Sequence, residues 1–128
     1  MEILGTGVDI VENLRIKKSL QKKQFISRIF SSNEILLSKK FKNKTNYYSK
    51  RFAAKEAFAK SIGTGFRDGL NFKDVSIINN KLGKPSFLIT DKLKKIVKRQ
   101  FRTSSFNFFL SISDEKKYSI ALVILQKN

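Results

Sequence analysis

Neither cysteine nor histidine occurs among the 128 residues of this chain. Their absence excludes disulfides and thiolate metal sites, along with the commonest acid–base group at neutral pH, which is also the commonest zinc ligand. Any metal must be held by oxygens, which points to a hard cation such as magnesium. Any general base must be a carboxylate, an amine or a water molecule. Carboxylates are themselves scarce, ten against 27 lysines and arginines, leaving a net charge of +17. Such an excess implies an anionic partner: nucleic acid, an acidic membrane face, a phosphate-bearing ligand or an acidic protein. Long apolar runs are missing too, none approaching the ~20 residues of a membrane span. The opening MEILGTGVDIVENL has an acid at its second position and no basic lead-in, unlike a secretory signal. These absences predict a cytoplasmic protein that does not engage a membrane.

What is present suffices for one core. The length suits a single domain over residues 1–128. Hydrophobic residues make up 41% of the chain, and twelve phenylalanines supply much of the area to be buried. Ile3 to Val11 reads as a strand, with two glycines permitting close backbone approach. Residues 13–42 turn helical, with Phe25, Ile26, Ile29 and Phe30 at three- and four-residue spacing and a second start near Ser32. A polar connection at 41–45 leads to a long helix over 46–62, rich in alanine and stopped by Gly63-Thr64-Gly65. Beyond it, Phe72 to Ile78 alternates like a half-buried strand, residues 79–84 form a turn, and Pro85 to Ile89 opens another strand. A short basic helix starts at Asp91, and two strands, 106–113 and 118–125, close the chain as a hairpin. The order predicts an α+β fold, a mainly antiparallel sheet packed on a long helix.

Two acids stand out against this basic background. Asp9 lies within the first strand between Val8 and Ile10, where an unpaired charge is costly. Glu56 lies in the long helix, enclosed by Arg51, Lys55 and Lys60, and shares a face with Lys60 at i, i+4. An exposed ion pair explains that spacing and so does a metal. Apolar residues on both sides of the helix favour a crevice for Glu56 and Lys60. The Gly63–Gly65 segment could cradle a phosphate, although a helix C-terminus repels anions and a helix stop is its simpler role.

Taken together and in order, GTGVDIVENLR (5–15), RFAAKEAFAKSIGTG (51–65), NNKLGKP (79–85) and LSISDEKKYSIALVIL (110–125) resemble the holo-acyl-carrier-protein synthases. These are the short members of the 4′-phosphopantetheinyl transferase superfamily. The resemblance spans nearly the full chain, loosely over residues 16–50. It implies transfer of the phosphopantetheine arm of coenzyme A to a serine of apo-acyl carrier protein, in fatty acid biosynthesis. Adenosine 3′,5′-bisphosphate is released and Mg²⁺ is required. It further implies that Asp9 and Glu56 are metal ligands and that Lys60 contacts the transferring phosphate. The proton acceptor is left open among Glu56, a metal-bound water and Lys60. Arg51, Lys55, Gly63, Thr64, Gly65 and Lys84 match positions near the nucleotide or pantetheine of coenzyme A. Arg15 matches an arginine that grips the acidic carrier protein. A homotrimer with the active site between subunits is implied as well. The chain departs from the pattern at Phe109 and Asp114, where relatives often have histidine. The competing expectation is a basic nucleic-acid-binding protein, which suits the charge but leaves Asp9 and Glu56 unexplained.

Overall fold

In the computed structural model, which describes residues 1–128, the helix α4 (Lys44–Ile62) forms the axis on which everything else packs. It begins two residues earlier than the sequence predicts because the Asn43 side chain accepts the Asn46 amide and caps it. It ends at Gly63, whose φ of 91° is the left-handed conformation that glycine adopts without strain. Ala53, Ala54, Ala57, Phe58 and Ile62 are buried on different sides of this helix, so both of its apolar faces are covered by its own chain.

One face of α4 receives a three-stranded antiparallel sheet of order β1–β5–β4, made of Glu2–Glu12, Tyr118–Lys127 and Phe106–Asp114. Strand β5 alternates cleanly: Ser119, Ala121, Val123 and Leu125 face the helix, while Tyr118, Ile120 and Leu122 face outward. Opposite them in register are Val8 against Leu122 and Ile10 against Ile120 on β1, with Phe109 against Ile124 on β4. The outer face of the sheet is therefore an apolar stripe without a partner in the chain, Ile10 being 62% exposed.

Helices α1 (Asn13–Ser19), α2 (Lys23–Ile29) and α3 (Ser32–Ser38) wrap the other side of α4. The start of α3 is a capping box, Ser31 and Glu34 each accepting the other's amide. The expected strand over 72–78 is not formed along its length. Phe72–Asp74 is a 3₁₀ turn capped by Asn71 and Asp74, and strand β2 covers only Ile77–Asn79, paired with β3 (Pro85–Phe87). Helix α5 (Asp91–Phe101) buries Leu93, Ile96 and Val97 and leaves its lysines in solvent. No helix is long and apolar enough to cross a membrane.

Candidate active site

The first site is created by how closely β1 lies on α4. A methyl group on Gly7 would sit far inside van der Waals contact of the Ala57 carbonyl oxygen, 2.9 Å from the Ala57 carbonyl carbon and 2.8 Å from the Ser61 amide nitrogen. Gly5 meets the Ser61 carbonyl in the same way. Only glycine fits at either position, and each lies on the helix-facing side of the strand with Asp9 next in that row. Asp9 is thereby carried to the helix beside Glu56 and Lys60. The Lys60 ammonium donates to Asp9 Oδ1 at 3.2 Å and to the Val8 carbonyl at 2.9 Å.

The electrostatics are those of two acids crowded together. Burial raises the Glu56 pKa above the usual carboxylate value, the charge of Asp9 raises it further, and Lys60 opposes both. Burial also raises Asp9, against the hydrogen bond and charge of Lys60 and the charge of Arg15. Glu56 accepts no hydrogen bond from the chain, so its oxygens are free for a ligand. Two half-buried carboxylates, a repulsion that a cation would relieve and free acceptor oxygens fit a hard divalent ion completed by phosphate and water oxygens. No third acid joins them.

A second cluster lies five residues back along α4, about 7.5 Å of helix rise and well over a quarter-turn away. Arg51 is almost fully buried, its guanidinium 3.6 Å from the Tyr47 ring centroid. Its Nη2 donates to Asn79 Oδ1 at 2.8 Å, its Nε has no partner, and no carboxylate pairs with it. It lines a cavity of about 530 Å³ with Lys40, Lys50, Lys81, Asn79 and Asp114. Gly83 and Pro85 line it too, which places Lys84 on the same exposed turn. The excess of cations suits a phosphate-bearing ligand. Asp114 is held there by the Asn46 amide group.

The remaining candidates divide. Arg15 is exposed on α1, near enough to influence Asp9. Gly63, Thr64 and Gly65 lie past the C-terminal end of α4, beyond Lys60, with open space around both glycines. Phe109 lies on the outer sheet face rather than in the Arg51 cavity. Lys55 is in neither cluster. Its side chain is fully buried, and its three hydrogens go to Glu34 Oε1 at 2.6 Å, the Phe72 carbonyl at 3.0 Å and the Val75 carbonyl. A lysine so enclosed has no donor left for a cofactor, which corrects the expectation that it binds one. Sequence reasoning misses Asn79 and Glu34. The Ser-x-x-Glu spacing of Ser31 and Glu34 is a signal for the cap, though not for the buried lysine it holds.

The chain resembles known proteins over nearly all of its length. The profile of the 4′-phosphopantetheinyl transferase superfamily matches residues 5–123. A holo-[acyl-carrier-protein] synthase of Pelagibacter ubique (strain HTCC1062) is 73% identical over 127 residues, covering 99% of each chain. The crystal structure of the holo-[acyl-carrier-protein] synthase from Neisseria meningitidis superposes with a TM-score of 0.89 at 38% identity, over 98% of this chain and 99% of that one. The enzyme of that name from Bacillus anthracis str. Ames, in complex with CoA (3′,5′-ADP), superposes with a TM-score of 0.83 at 33% identity over 100% of both chains.

Proposed function

The chain belongs to the 4′-phosphopantetheinyl transferase superfamily, among the holo-[acyl-carrier-protein] synthases, and from that premise we infer that it transfers 4′-phosphopantetheine from coenzyme A to a serine of apo-acyl carrier protein. The observation that carries the reading is the meeting of Asp9, Glu56 and Lys60 where Gly5 and Gly7 bring β1 onto α4. The serine oxygen attacks the β-phosphorus of the pyrophosphate, and the bond to the bridging oxygen breaks. Adenosine 3′,5′-bisphosphate leaves, and the serine proton passes to a base.

Asp9 and Glu56 are the residues to hold Mg²⁺. Bound there, the ion supplies Lewis-acid stabilisation of the charge that builds on the pyrophosphate oxygens. Lys60 is more than half exposed, so its ammonium can turn from Asp9 to the transferring phosphate and stabilise the same charge. With no histidine in the chain, the proton acceptor is a carboxylate, an amine or a water. Lys60 is already a donor in the structure, whereas Glu56 has unused acceptor oxygens, which favours Glu56. Arg51 in the cationic cavity and Lys84 on the turn that borders it take the nucleotide phosphates, with the Gly63–Gly65 loop nearer the pantetheine. Arg15 meets the acidic carrier protein, where complementary charge speeds docking.

We further propose a homotrimer acting in the cytoplasm, in fatty acid biosynthesis. The metal pair and the Arg51 cavity lie on different sides of α4, which supports a coenzyme A molecule spanning two subunits. The apolar outer stripe of the sheet supports the same assembly. The two apolar sides of α4 do not, since both are covered within the chain.

Incubation with apo-acyl carrier protein, coenzyme A and Mg²⁺, followed by intact-mass measurement, tests the reaction. The carrier gains one phosphopantetheine unit, and EDTA abolishes the gain. Asp9→Asn or Glu56→Gln abolishes it with the fold intact. No gain with folded protein and a competent carrier would overturn the reading.

A further inference from the structure

The most deeply buried charges in the protein take no part in the chemistry above. Glu34 and Lys55 are both fully buried, and together they join three segments of the chain. Besides Lys55, the Glu34 carboxylate accepts the Ser31 amide at 3.0 Å and the Ile77 amide at 3.3 Å. Lys55 in turn holds the carbonyls of Phe72 and Val75. Thus α3, α4 and the stretch 72–77 converge on one ion pair. Burial draws Lys55 below the ordinary ammonium range, and the charge of Glu34 opposes that shift.

A buried ion pair is a poor source of stability, because apolar residues of similar volume often serve as well or better. What an ammonium does that a methyl cannot is bind backbone carbonyls, and the Val75 carbonyl has no backbone donor. The stretch it anchors leads directly into β2. Two residues past Ile77, Asn79 receives Arg51 at 2.8 Å through its Oδ1, while its Nδ2 holds the Gly83 carbonyl at 3.0 Å. The wall of the Arg51 cavity is therefore suspended from the Glu34–Lys55 pair.

We propose that Glu34 and Lys55 are positioning residues for the nucleotide half of coenzyme A, fixing residues 72–77 so that Asn79 and the Gly83–Pro85 turn face Arg51. The inference rests on the assignment of the nucleotide to that cavity. It gives the buried pair a place in substrate binding, one step removed from the ligand.

The test is steady-state kinetics on Glu34→Gln and on the double variant Glu34→Gln/Lys55→Met, beside Arg51→Ala and Lys84→Ala as references for the cavity. Both pair variants raise the KM for coenzyme A about tenfold, the factor expected for one lost charge-assisted hydrogen bond. The loss falls on KM rather than kcat, and the KM for the carrier protein holds. If the pair matters only for stability, Glu34→Gln melts lower but keeps its KM, and the double variant recovers its melting temperature with a wild-type KM. That result overturns the proposal. Should Glu34→Gln not fold, the double variant decides alone, a raised KM supporting the proposal and a wild-type KM refuting it. If instead Arg51→Ala and Lys84→Ala leave the KM for coenzyme A unchanged, the nucleotide assignment falls and the inference with it.

Discussion

Replacing Gly7 by alanine isolates the contact that assembles the active site. The added methyl meets the Ala57 carbonyl, and relief requires β1 to lift from α4 by about 1 Å or more. Overpacking of this kind costs about 1–3 kcal/mol, and this contact lies at the upper end because backbone opposes it. For a domain of this size each kcal/mol is about 4 °C of melting temperature, so Gly7→Ala melts about 12 °C lower. The same lift draws Asp9 away from Glu56 and Lys60, and a misplacement of about 1 Å costs on the order of 10²-fold in rate. The control is Gly69→Ala. Gly69 has φ of 91° with open space around it, so alanine there strains the backbone by about 1–2 kcal/mol without touching the contact between β1 and α4. Gly69→Ala melts about 4–8 °C lower and turns over at the wild-type rate. Thermal unfolding followed by circular dichroism, with carrier modification measured at 25 °C, gives both quantities. If Gly7→Ala keeps the turnover of Gly69→Ala, the close approach of β1 does not set the site.

Three more outcomes follow from the same contacts and charges. The Tyr47 pKa is pushed up from 10.0 to about 12, mainly by burial, so the folded state keeps a proton that the unfolded chain releases. Stability from this group is intact below pH 10 and is lost as pH rises toward 12, by up to roughly 2–3 kcal/mol; Tyr47→Phe removes that part of the alkaline decline in urea midpoints. Ile120→Lys places a charge in the middle of the outer apolar stripe; if the proposed trimer forms through that stripe, sedimentation velocity gives a trimer for the wild type and a monomer for the variant. Arg15→Glu raises the KM for the carrier protein severalfold, leaves that for coenzyme A unchanged, and flattens the salt dependence of turnover.

Much of the site is legible in the amino-acid sequence because its signals are local. The glycines at 5 and 7 mark close backbone approach, Asp9 is an acid in an apolar strand, and Glu56 and Lys60 share a helix face by spacing alone. The misreadings all involve partners distant in the chain. Lys55 resembles one more exposed helix lysine, since nothing near it in sequence shows that Glu34 and the Phe72 and Val75 carbonyls enclose it. The same lysine helps explain why FKDVSII is not one strand: carbonyls that could have joined a ladder accept an ammonium instead. The apolar sides of α4 are plain from its composition, whereas the apolar surface that the chain leaves uncovered lies on the sheet. The alternation of Tyr118, Ile120 and Leu122 is visible in the sequence, but which side meets the helix depends on the packing of β1.

The order of strands bears on how the chain is made. β5 lies between β1 and β4, yet it is the last element of this fold to leave the ribosome. β1 precedes the other elements and has no strand to pair with until more than a hundred residues later, when Tyr118 finds Glu12 and Lys127 finds Glu2. Pairing across almost the whole chain makes folding slow, because the loop must close before the contact stabilises it. During synthesis the apolar first strand is exposed to other nascent chains, with only the forming α4 to cover it. Shortening the chain before Tyr118 would remove the middle strand of the sheet and leave β1 and β4 with no strand to pair with.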